Sequence, residues 1–282
     1  MHVGRDLVII GTDVSTGHIY AFEAATGKVA WKRPAGRGVA TDILASGGSI
    51  YALTLDGDVL RLDAATGKEV WSYKAGAPAT MATTFASPAL GGGRLFVPAA
   101  EAGVVALDAA TGGLLWVRLL PASPSSSILL SEGALYVGAE DQHLYRLDPR
   151  TGEITARLAL GLTPRRTLTA AGSLILAFLA DNDRGTRLVA VDRDLRGVRW
   201  ERPPPDGSQW TSLEPFVRRH LVLAGGINGE VIAYRLADGS AAWRADVRGV
   251  VKVFSAAADL LLVGTEAGGL YSFRLDGAQQ ER

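Results

Sequence analysis

An eleven-residue pattern that recurs along the whole chain constrains its fold more than any other feature of the sequence. The pattern reads Ala-x-Asp-x-x-Thr-Gly-x-x-x-Trp, and its clearest copies span residues 21–31, 61–71 and 106–116. Looser copies begin at Arg146, Ala190, Ala233 and Ser272, and the first of these has Ala156 where the tryptophan is expected. The turn glycines of the copies are Gly27, Gly67, Gly112, Gly152, Gly197, Gly239 and Gly277. Successive glycines are 38 to 45 residues apart, so the chain consists of about seven repeats.

Each repeat contains the signals of four short β-strands. In the second repeat the strands are predicted at residues 41–45, 50–55, 59–63 and 69–73, with glycine-containing turns between them. A period of about 40 to 45 residues suits four strands per repeat, whereas helical repeats of this length would show a 3.6-residue periodicity. The sequence therefore predicts an all-β fold of about seven four-stranded antiparallel blades in a single domain, residues 1–282. The first repeat begins at its second strand and the last ends after its third, so these two blades are predicted to have three strands.

The residue types that recur in the pattern indicate an architectural role. Asp63 and Thr66 can bond to the backbone of their turn, Gly67 can adopt positive φ, and Trp71 can cover the face of a neighbouring sheet. The same structural docking role is predicted for Trp31, Trp71, Trp116, Trp200 and Trp243 and for Gly27, Gly67, Gly112 and Gly152.

This pattern resembles the tryptophan-docking repeat of the pyrroloquinoline quinone (PQQ)-like β-propeller superfamily, over essentially the entire chain. The resemblance implies a β-propeller. It implies several functions, because that superfamily includes PQQ-dependent alcohol dehydrogenases, outer-membrane assembly lipoproteins and sensor domains of bacterial kinases.

The composition argues against several classes of protein. Lys plus Arg equals Asp plus Glu, at 29 each, so no dominant charge attracts nucleic acid. The chain has no cysteine, which excludes disulfides and thiolate chemistry within it. No signal peptide is recognised, and no apolar run approaches the roughly 18 residues of a membrane helix, so we expect no membrane insertion. The compartment stays open, because a removed signal would leave no trace.

The sequence predicts no catalytic, cofactor or metal site. The four histidines, His2, His18, His143 and His220, fall in separate repeats, and no phosphate-binding loop or nucleophile elbow occurs. Residues 181–185, Asp-Asn-Asp-Arg-Gly, suggest either a partial calcium loop or a solvated turn, and the turn is favoured. The dehydrogenase resemblance implies adjacent cysteines and an acidic calcium set, which this sequence lacks. We therefore expect neither PQQ nor calcium.

A set of polar residues is predicted at one equivalent position, where the chain enters the innermost strands. Alignment on the hydrophobic start of the second strand gives Asp42, Ser87, Ser127, Arg166, Glu214 and Lys252. Two interpretations are open: charges that compensate one another along a water-filled channel, or a binding site for a polar small molecule or peptide. Arg165, Arg166 and Trp210 are predicted at the same rim, with Trp210 either a lid over its blade or an interface anchor.

These observations favour a non-enzymatic scaffold or a module that binds a protein or small polar ligand at the funnel rim. Such a module would suit the sensor or interaction part of a larger bacterial protein. Two alternatives remain open at this point: a PQQ-dependent oxidoreductase-like protein, and an outer-membrane assembly scaffold resembling the propeller lipoproteins.

Overall fold

The computed structural model describes residues 2–3, 6–12, 16–39, 41–76, 86–99, 101, 103–181, 185–211, 214–257 and 260–274. These residues form strands and one short 3-10 helix, Pro205–Gly207. They divide into two compact units: Met1–Asp141 with Tyr145–Thr155, and Gln142–Leu144 with Ala156–Arg282.

Within the described residues, the strands form seven antiparallel sheets, and the order of strands in each sheet follows the chain. The first sheet contains β1 (His2–Val3), β2 (Leu7–Gly11), β3 (His18–Glu23) and β4 (Val29–Pro34). The second contains β5 (Leu44–Ser46), β6 (Ser49–Leu53), β7 (Asp58–Asp63) and β8 (Glu69–Lys74). The third contains β9 (Ala89–Gly91), β10 (Arg94–Ala99), β11 (Gly103–Asp108) and β12 (Leu114–Arg118).

The remaining sheets repeat this arrangement. The fourth contains β13 (Leu129–Ser131), β14 (Ala134–Gly138), β15 (His143–Leu147) and β16 (Ile154–Ala159). The fifth contains β17 (Thr163–Ala171), β18 (Leu174–Asp181), β19 (Gly185–Asp192) and β20 (Val198–Arg202). The sixth contains β21 (Phe216–Arg218), β22 (Leu221–Gly225), β23 (Glu230–Arg235) and β24 (Ala241–Asp246), and the seventh contains β25 (Val251–Ala257), β26 (Leu260–Thr265) and β27 (Leu270–Arg274).

The two end sheets are shorter than the others. In the first sheet, three strands of five or six residues are joined by the two-residue β1, which pairs with Val8 and Leu7 of β2. The seventh sheet has three strands among the described residues. Gly277, the last predicted turn glycine, lies outside the described residues.

The middle strands are apolar and buried, whereas the outer strands alternate between exposed and partly buried residues. All five residues of β6 are buried, because both faces of a middle strand are covered. In β8 exposed residues alternate with partly buried ones from Val70 onward, because one face is solvated.

The hydrophobic core consists of clusters formed by neighbouring sheets. Ile9 and Ile19 of the first sheet cluster with Ile50 and Leu62 of the second. In the other unit, Leu176 and Phe178 cluster with Val222 and Ile232 of the next sheet. In these clusters a sheet depends on its sequence neighbour to bury its apolar surface.

Candidate functional site

The motif tryptophans lie against the turn of the following sheet. The indole N–H of Trp31 donates to the carbonyl of Ala64 at 3.0 Å, and that of Trp71 donates to Ala109 at 3.2 Å. Trp116 bonds in the same way to Pro149 (3.2 Å) and Trp200 to Leu236 (2.9 Å). These indoles have a structural role in contacts between neighbouring sheets, and they are not available to stack on a ligand.

The turn glycines make room for these rings. A Cβ atom at Gly67 would lie 2.6 Å from the ring of Trp31, and one at Gly112 would lie 2.7 Å from that of Trp71. Gly152 and Gly239 have the same relation to Trp116 and Trp200, each at 2.7 Å. All four glycines have φ between +68° and +75°, a conformation that residues with a Cβ atom rarely adopt.

The motif aspartates hold these turns together. The Asp63 carboxylate accepts bonds from the Thr66 hydroxyl (2.7 Å) and the Thr66 N–H (2.8 Å). These two bonds hold the pKa of Asp63 below its ordinary value. Bonds from the N–H and hydroxyl of Thr111 lower the pKa of Asp108 in the same way. The aspartates are therefore turn residues and offer no general acid or base.

Several copies of the motif differ from this arrangement. Gly27 has φ +68°, and no described atom lies within 4 Å of its Cβ position. In the fourth repeat, Ala156 stands in place of the tryptophan. In the turn of the fifth repeat, the residue with positive φ is Leu195 (+56°), which is 5% exposed. Gly197 follows two residues later, and no atom of the described residues lies within 4 Å of its Cβ position. Trp243 packs edge-on against Phe273, with ring centroids 5.1 Å apart.

In the first unit, the polar residues predicted at the inner-strand starts form a hydrogen-bonded row. The N–H of Asp42 donates to the Ser87 hydroxyl at 3.0 Å, and that hydroxyl donates to the Asp42 carboxylate at 3.2 Å. The N–H of Ser87 donates to the Ser127 hydroxyl at 2.9 Å. Ser87 and Ser127 are 6% and 8% exposed, so the two serines are nearly closed to solvent, whereas Asp42 at the end of the row is exposed.

In the second unit, two of the predicted positions are one residue out of register. Hairpin pairing matches Ala45 with Ile50, Ala170 with Ile175 and Ala256 with Leu261. Thr167 and Val253 are therefore equivalent to Asp42, and the assignments of Arg166 and Lys252 were wrong. The two registers differ because β18 and β26 each begin with an additional leucine, Leu174 and Leu260, ahead of the residue equivalent to Ile50.

The residues at the strand starts of the second unit line an open cleft of about 150 Å³. The Thr167 hydroxyl donates to the Glu214 carboxylate at 3.3 Å, and the Lys252 ammonium lies 3.5 Å from the Glu266 carboxylate. The lining residues are Thr167, Thr169, Glu214, Pro215, Phe216, Lys252, Val253 and Phe254. Sequence reasoning missed Thr167 and the aromatic pair Phe216 and Phe254, whose rings are 6.0 Å apart. The cleft thus combines charges of both signs with an apolar wall.

Of the other predicted rim residues, the arginines are accessible and the tryptophan is not. Arg165 is partly buried, and Arg166 is exposed with φ +53° at an irregularity of β17. Trp210 is 2% exposed, and its indole N–H donates to the carbonyl of Arg202 at 3.2 Å. The interpretation of Trp210 as an interface anchor is therefore wrong, because the apolar ring is part of the core.

The ring of Trp210 packs edge-on against Tyr234, at 6.3 Å between centroids. Burial raises the pKa of Tyr234 to about 12, so its phenol is neutral in this cluster.

The described residues offer little for metal or quinone chemistry. They contain no group of three His, Asp or Glu side chains close enough to hold a metal ion. His18 bonds locally, with Nδ1 2.8 Å from the Thr16 carbonyl. Residues 182–184 of the calcium-loop candidate lie outside the described part of the chain. Among the described residues there is thus no acidic set of the kind that holds calcium beside PQQ, and the absence of both cofactors stays a prediction. In the same part of the chain, no helix has the length and apolar character needed to cross a membrane.

Comparison with solved structures confirms the predicted β-propeller fold. BamB from Moraxella catarrhalis is similar with a TM-score of 0.78 and 21% identity, covering 96% of this chain and 82% of that one. The computationally designed protein Ika8 has a TM-score of 0.76 at 12% identity, covering 97% and 82%. Sqt1 from Saccharomyces cerevisiae has a TM-score of 0.76 at 14% identity, covering 95% and 81%. At these identities the likeness shows the fold alone.

Sequence comparison gives the family. A search of curated proteins found no significant match. The profile of a family described as "Outer membrane protein assembly factor BamB" matches residues 1–92 and 79–280. Because the two matches together cover nearly the whole chain, the protein belongs to this BamB family of PQQ-like β-propellers.

Proposed function

We propose that this protein is a non-enzymatic, protein-binding propeller scaffold that acts in the assembly of outer-membrane proteins. The membership of the chain in a family described as an outer-membrane protein assembly factor supports this role. The described tryptophans and motif aspartates are occupied by contacts within the fold, so they supply no visible chemistry.

The cleft of the second unit is the proposed contact surface, and it carries the proposal. Glu214 and Lys252 are exposed and carry opposite charges. Val253, which also lines the cleft, is 57% exposed. Its volume of about 150 Å³ is well below the roughly 300–1,000 Å³ of small-molecule sites. A cleft of this size fits side chains of a protein segment better than a whole cofactor. Arg165 and Arg166 lie on the same strand as Thr167.

The proposal is tested by reversing the charges of the cleft in the native host. The double variant Glu214→Arg/Lys252→Glu should fold normally and fail to restore outer-membrane protein levels in a strain that lacks the gene. The matched control Lys68→Glu/Glu153→Arg reverses two exposed charges in motif turns and should restore them fully. Full restoration by the cleft variant would contradict the proposed surface. A host without an outer membrane, or a deletion without effect on those proteins, would contradict the assembly role.

The non-enzymatic part of the proposal has its own test. The purified protein should show no reduction of an artificial electron-accepting dye with an alcohol substrate, PQQ and calcium chloride. Turnover that requires PQQ would contradict this part and would favour an oxidoreductase-like protein.

A further inference from the structure

An apolar residue of the first sheet is exposed where its counterparts in the other sheets are buried. Ile10 of β2 is 42% exposed. The strand registers align it with six residues that are each at most 1% exposed, namely Ala52, Val97, Val137, Ala177, Ala224 and Val263. The described residues of the first sheet therefore lack a cover that the other six sheets have.

In the other sheets, this cover is the segment of chain that enters the inner strand. Ile43, one residue after Asp42, is 6% exposed and belongs to the same core cluster as Ala52. Ile128, also 6% exposed, has the same relation to Val137. The counterparts of Ile43 are apolar and buried in all six sheets: Ile43, Pro88, Ile128, Leu168, Pro215 and Phe254.

The described part of the first sheet has no such segment. Its inner strand β1 begins at His2, the counterpart of Ala45, and pairs only with Leu7 and Val8. Beyond Val8, the inner side of β2 borders an open hollow of about 570 Å³. In the described lining of this hollow, Asp42 is the only charged residue; the others are Ile9, Ile10, Gly11, Thr41, Ile43 and Leu44. We name Ile9, Ile10 and Gly11 the open β2 edge.

The backbone of the open β2 edge can bond to an added segment. In the sixth sheet the carbonyl of Gly225 accepts from the N–H of Thr211, at 2.8 Å. In the fourth sheet the carbonyl of Gly138 accepts from the N–H of Ser125, also at 2.8 Å. Gly11 has the same position in its strand, so its carbonyl points to the side where an entering segment would lie. An extended peptide that adds to a sheet edge uses backbone bonds of this kind.

Asp42 indicates the chemistry of the occupant. Along the inner row, the N–H of one sheet donates to the side chain of the next, as Asp42 does to Ser87 and Ser87 does to Ser127. Asp42 is the first residue of this row, and its side chain is exposed beside the open β2 edge. A segment added there would donate its own N–H to the Asp42 carboxylate, and a basic side chain would complement the negative charge.

We propose that the open β2 edge binds an extended segment of a protein partner, in which a lysine or arginine is followed by an aliphatic residue. The basic residue lies at Asp42, the aliphatic residue covers Ile10, and a backbone N–H donates to the carbonyl of Gly11. The partner thus supplies what the entering segment supplies in the other sheets. No residue of the Glu214 cleft takes part, so this inference and the proposed function stand or fall separately.

A short synthetic peptide tests the site. The probe is Ser-Pro-Ser-Ser-Lys-Ile with both ends blocked, which copies residues 123–128 with the change Ser127→Lys. Fluorescence polarisation with the purified protein should show binding with a Kd below about 1 mM. Replacing the lysine of the peptide with glutamate, or its isoleucine with serine, should weaken binding at least about tenfold. No binding at about 1 mM, or equal binding of the three peptides, would overturn the inference.

Variants of the protein locate the bound peptide. Ile10→Gln should weaken binding at least about tenfold, because it removes the apolar contact. The matched control Ile227→Gln changes an isoleucine that is 48% exposed in a turn of the sixth sheet, and it should bind normally. Glu214→Gln/Lys252→Gln should also bind normally, because the cleft is a separate surface. Equal binding by Ile10→Gln and Ile227→Gln would overturn the inference, provided that circular dichroism shows both to be folded.

Two further measurements test the role of Asp42 and the identity of the occupant. Asp42→Asn should remove the preference for the lysine peptide over the glutamate peptide, whereas a purely structural Asp42 would leave that preference intact and contradict the proposal. In sedimentation, the unmodified protein should be monomeric at about 100 μM. A dimer that Ile10→Gln dissociates would show that a second copy fills the open β2 edge, and would overturn the proposed partner.

Discussion

The motif turns and the inner-strand starts show two different uses of a repeated position. At four turns the same indole, glycine and carbonyl contact recurs with almost constant geometry. At the inner-strand starts the residue type changes from sheet to sheet. The exposed Asp42 bonds to the buried Ser87, which bonds to the buried Ser127, whereas Thr167 and Glu214 line an open cleft. The difference teaches that positions whose residue type is repeated have a structural role, whereas positions whose residue type changes between sheets are the ones that can specify a partner.

The largest expected effect is at a covered turn. Gly112→Val forces a β-branched residue into φ +75° and places its Cβ 2.7 Å from the Trp71 ring. Backbone strain and overpacking together should lower the free energy of unfolding by about 3–5 kcal/mol. Gly27→Val is the matched control, with φ +68° and no described neighbour, and should cost only about 1–3 kcal/mol. Urea denaturation measures both, and equal losses would show that the indole contact contributes nothing.

A smaller loss is expected at the buried serine of the inner row, Ser87. Ser87→Ala removes the hydroxyl that links Asp42 to the third sheet, and leaves the Asp42 N–H without that acceptor. The free energy of unfolding should fall by about 1–3 kcal/mol. If urea denaturation shows no change, the row is not structural, and the contrast with the cleft of the second unit disappears.

The turn carboxylates should make the stability of the protein depend on pH in the acidic range. Hydrogen bonds from Thr66 and Thr111 lower the folded-state pKa of Asp63 and Asp108 below the unfolded value of about 3.9. Their contribution is thus fully present above that value and is lost as the pH falls through the folded-state values. Thermal denaturation between pH 6 and pH 2.5 should show a shallower decline for Asp63→Asn/Asp108→Asn than for the unmodified protein. Parallel curves would contradict this assignment.

The smallest effect on stability is expected at the open cleft. Glu214→Gln/Lys252→Gln changes two exposed side chains and should alter the free energy of unfolding by less than about 0.5 kcal/mol. Urea denaturation beside Ser87→Ala provides the comparison. A loss as large as that of Ser87→Ala would mean that both regions are structural, and would remove the basis for treating the cleft as a contact surface.

The strands and turns were predictable because their signals are local. In the second sheet the predicted strands at 50–55, 59–63 and 69–73 correspond to Ser49–Leu53, Asp58–Asp63 and Glu69–Lys74. The inner strand was predicted from residue 41 and begins at Leu44, because the N–H of Asp42 bonds to the Ser87 side chain. Such a bond, between residues 45 positions apart in sequence, leaves no local signal.

The residues of the cleft were only partly predictable, because the register of the inner strands is set by the hairpin turns and not by the apolar runs. Gly47, Gly92 and Gly172 have positive φ at the first position of their turns. Counting five residues back from each gives Asp42, Ser87 and Thr167, so the turn signal would have found the correct residue. The aromatic wall of Phe216 and Phe254 required coordinates, since the two residues belong to different sheets.

The indole contacts join segments that are close to each other in the sequence. The four bonded indoles reach partners only 33 to 38 residues ahead in the chain. A sheet leaving the ribosome therefore needs only the next repeat before it can dock, and short loops close faster than long ones. Folding of this chain can advance in step with its synthesis, so that little apolar surface stays exposed until distant segments have been made.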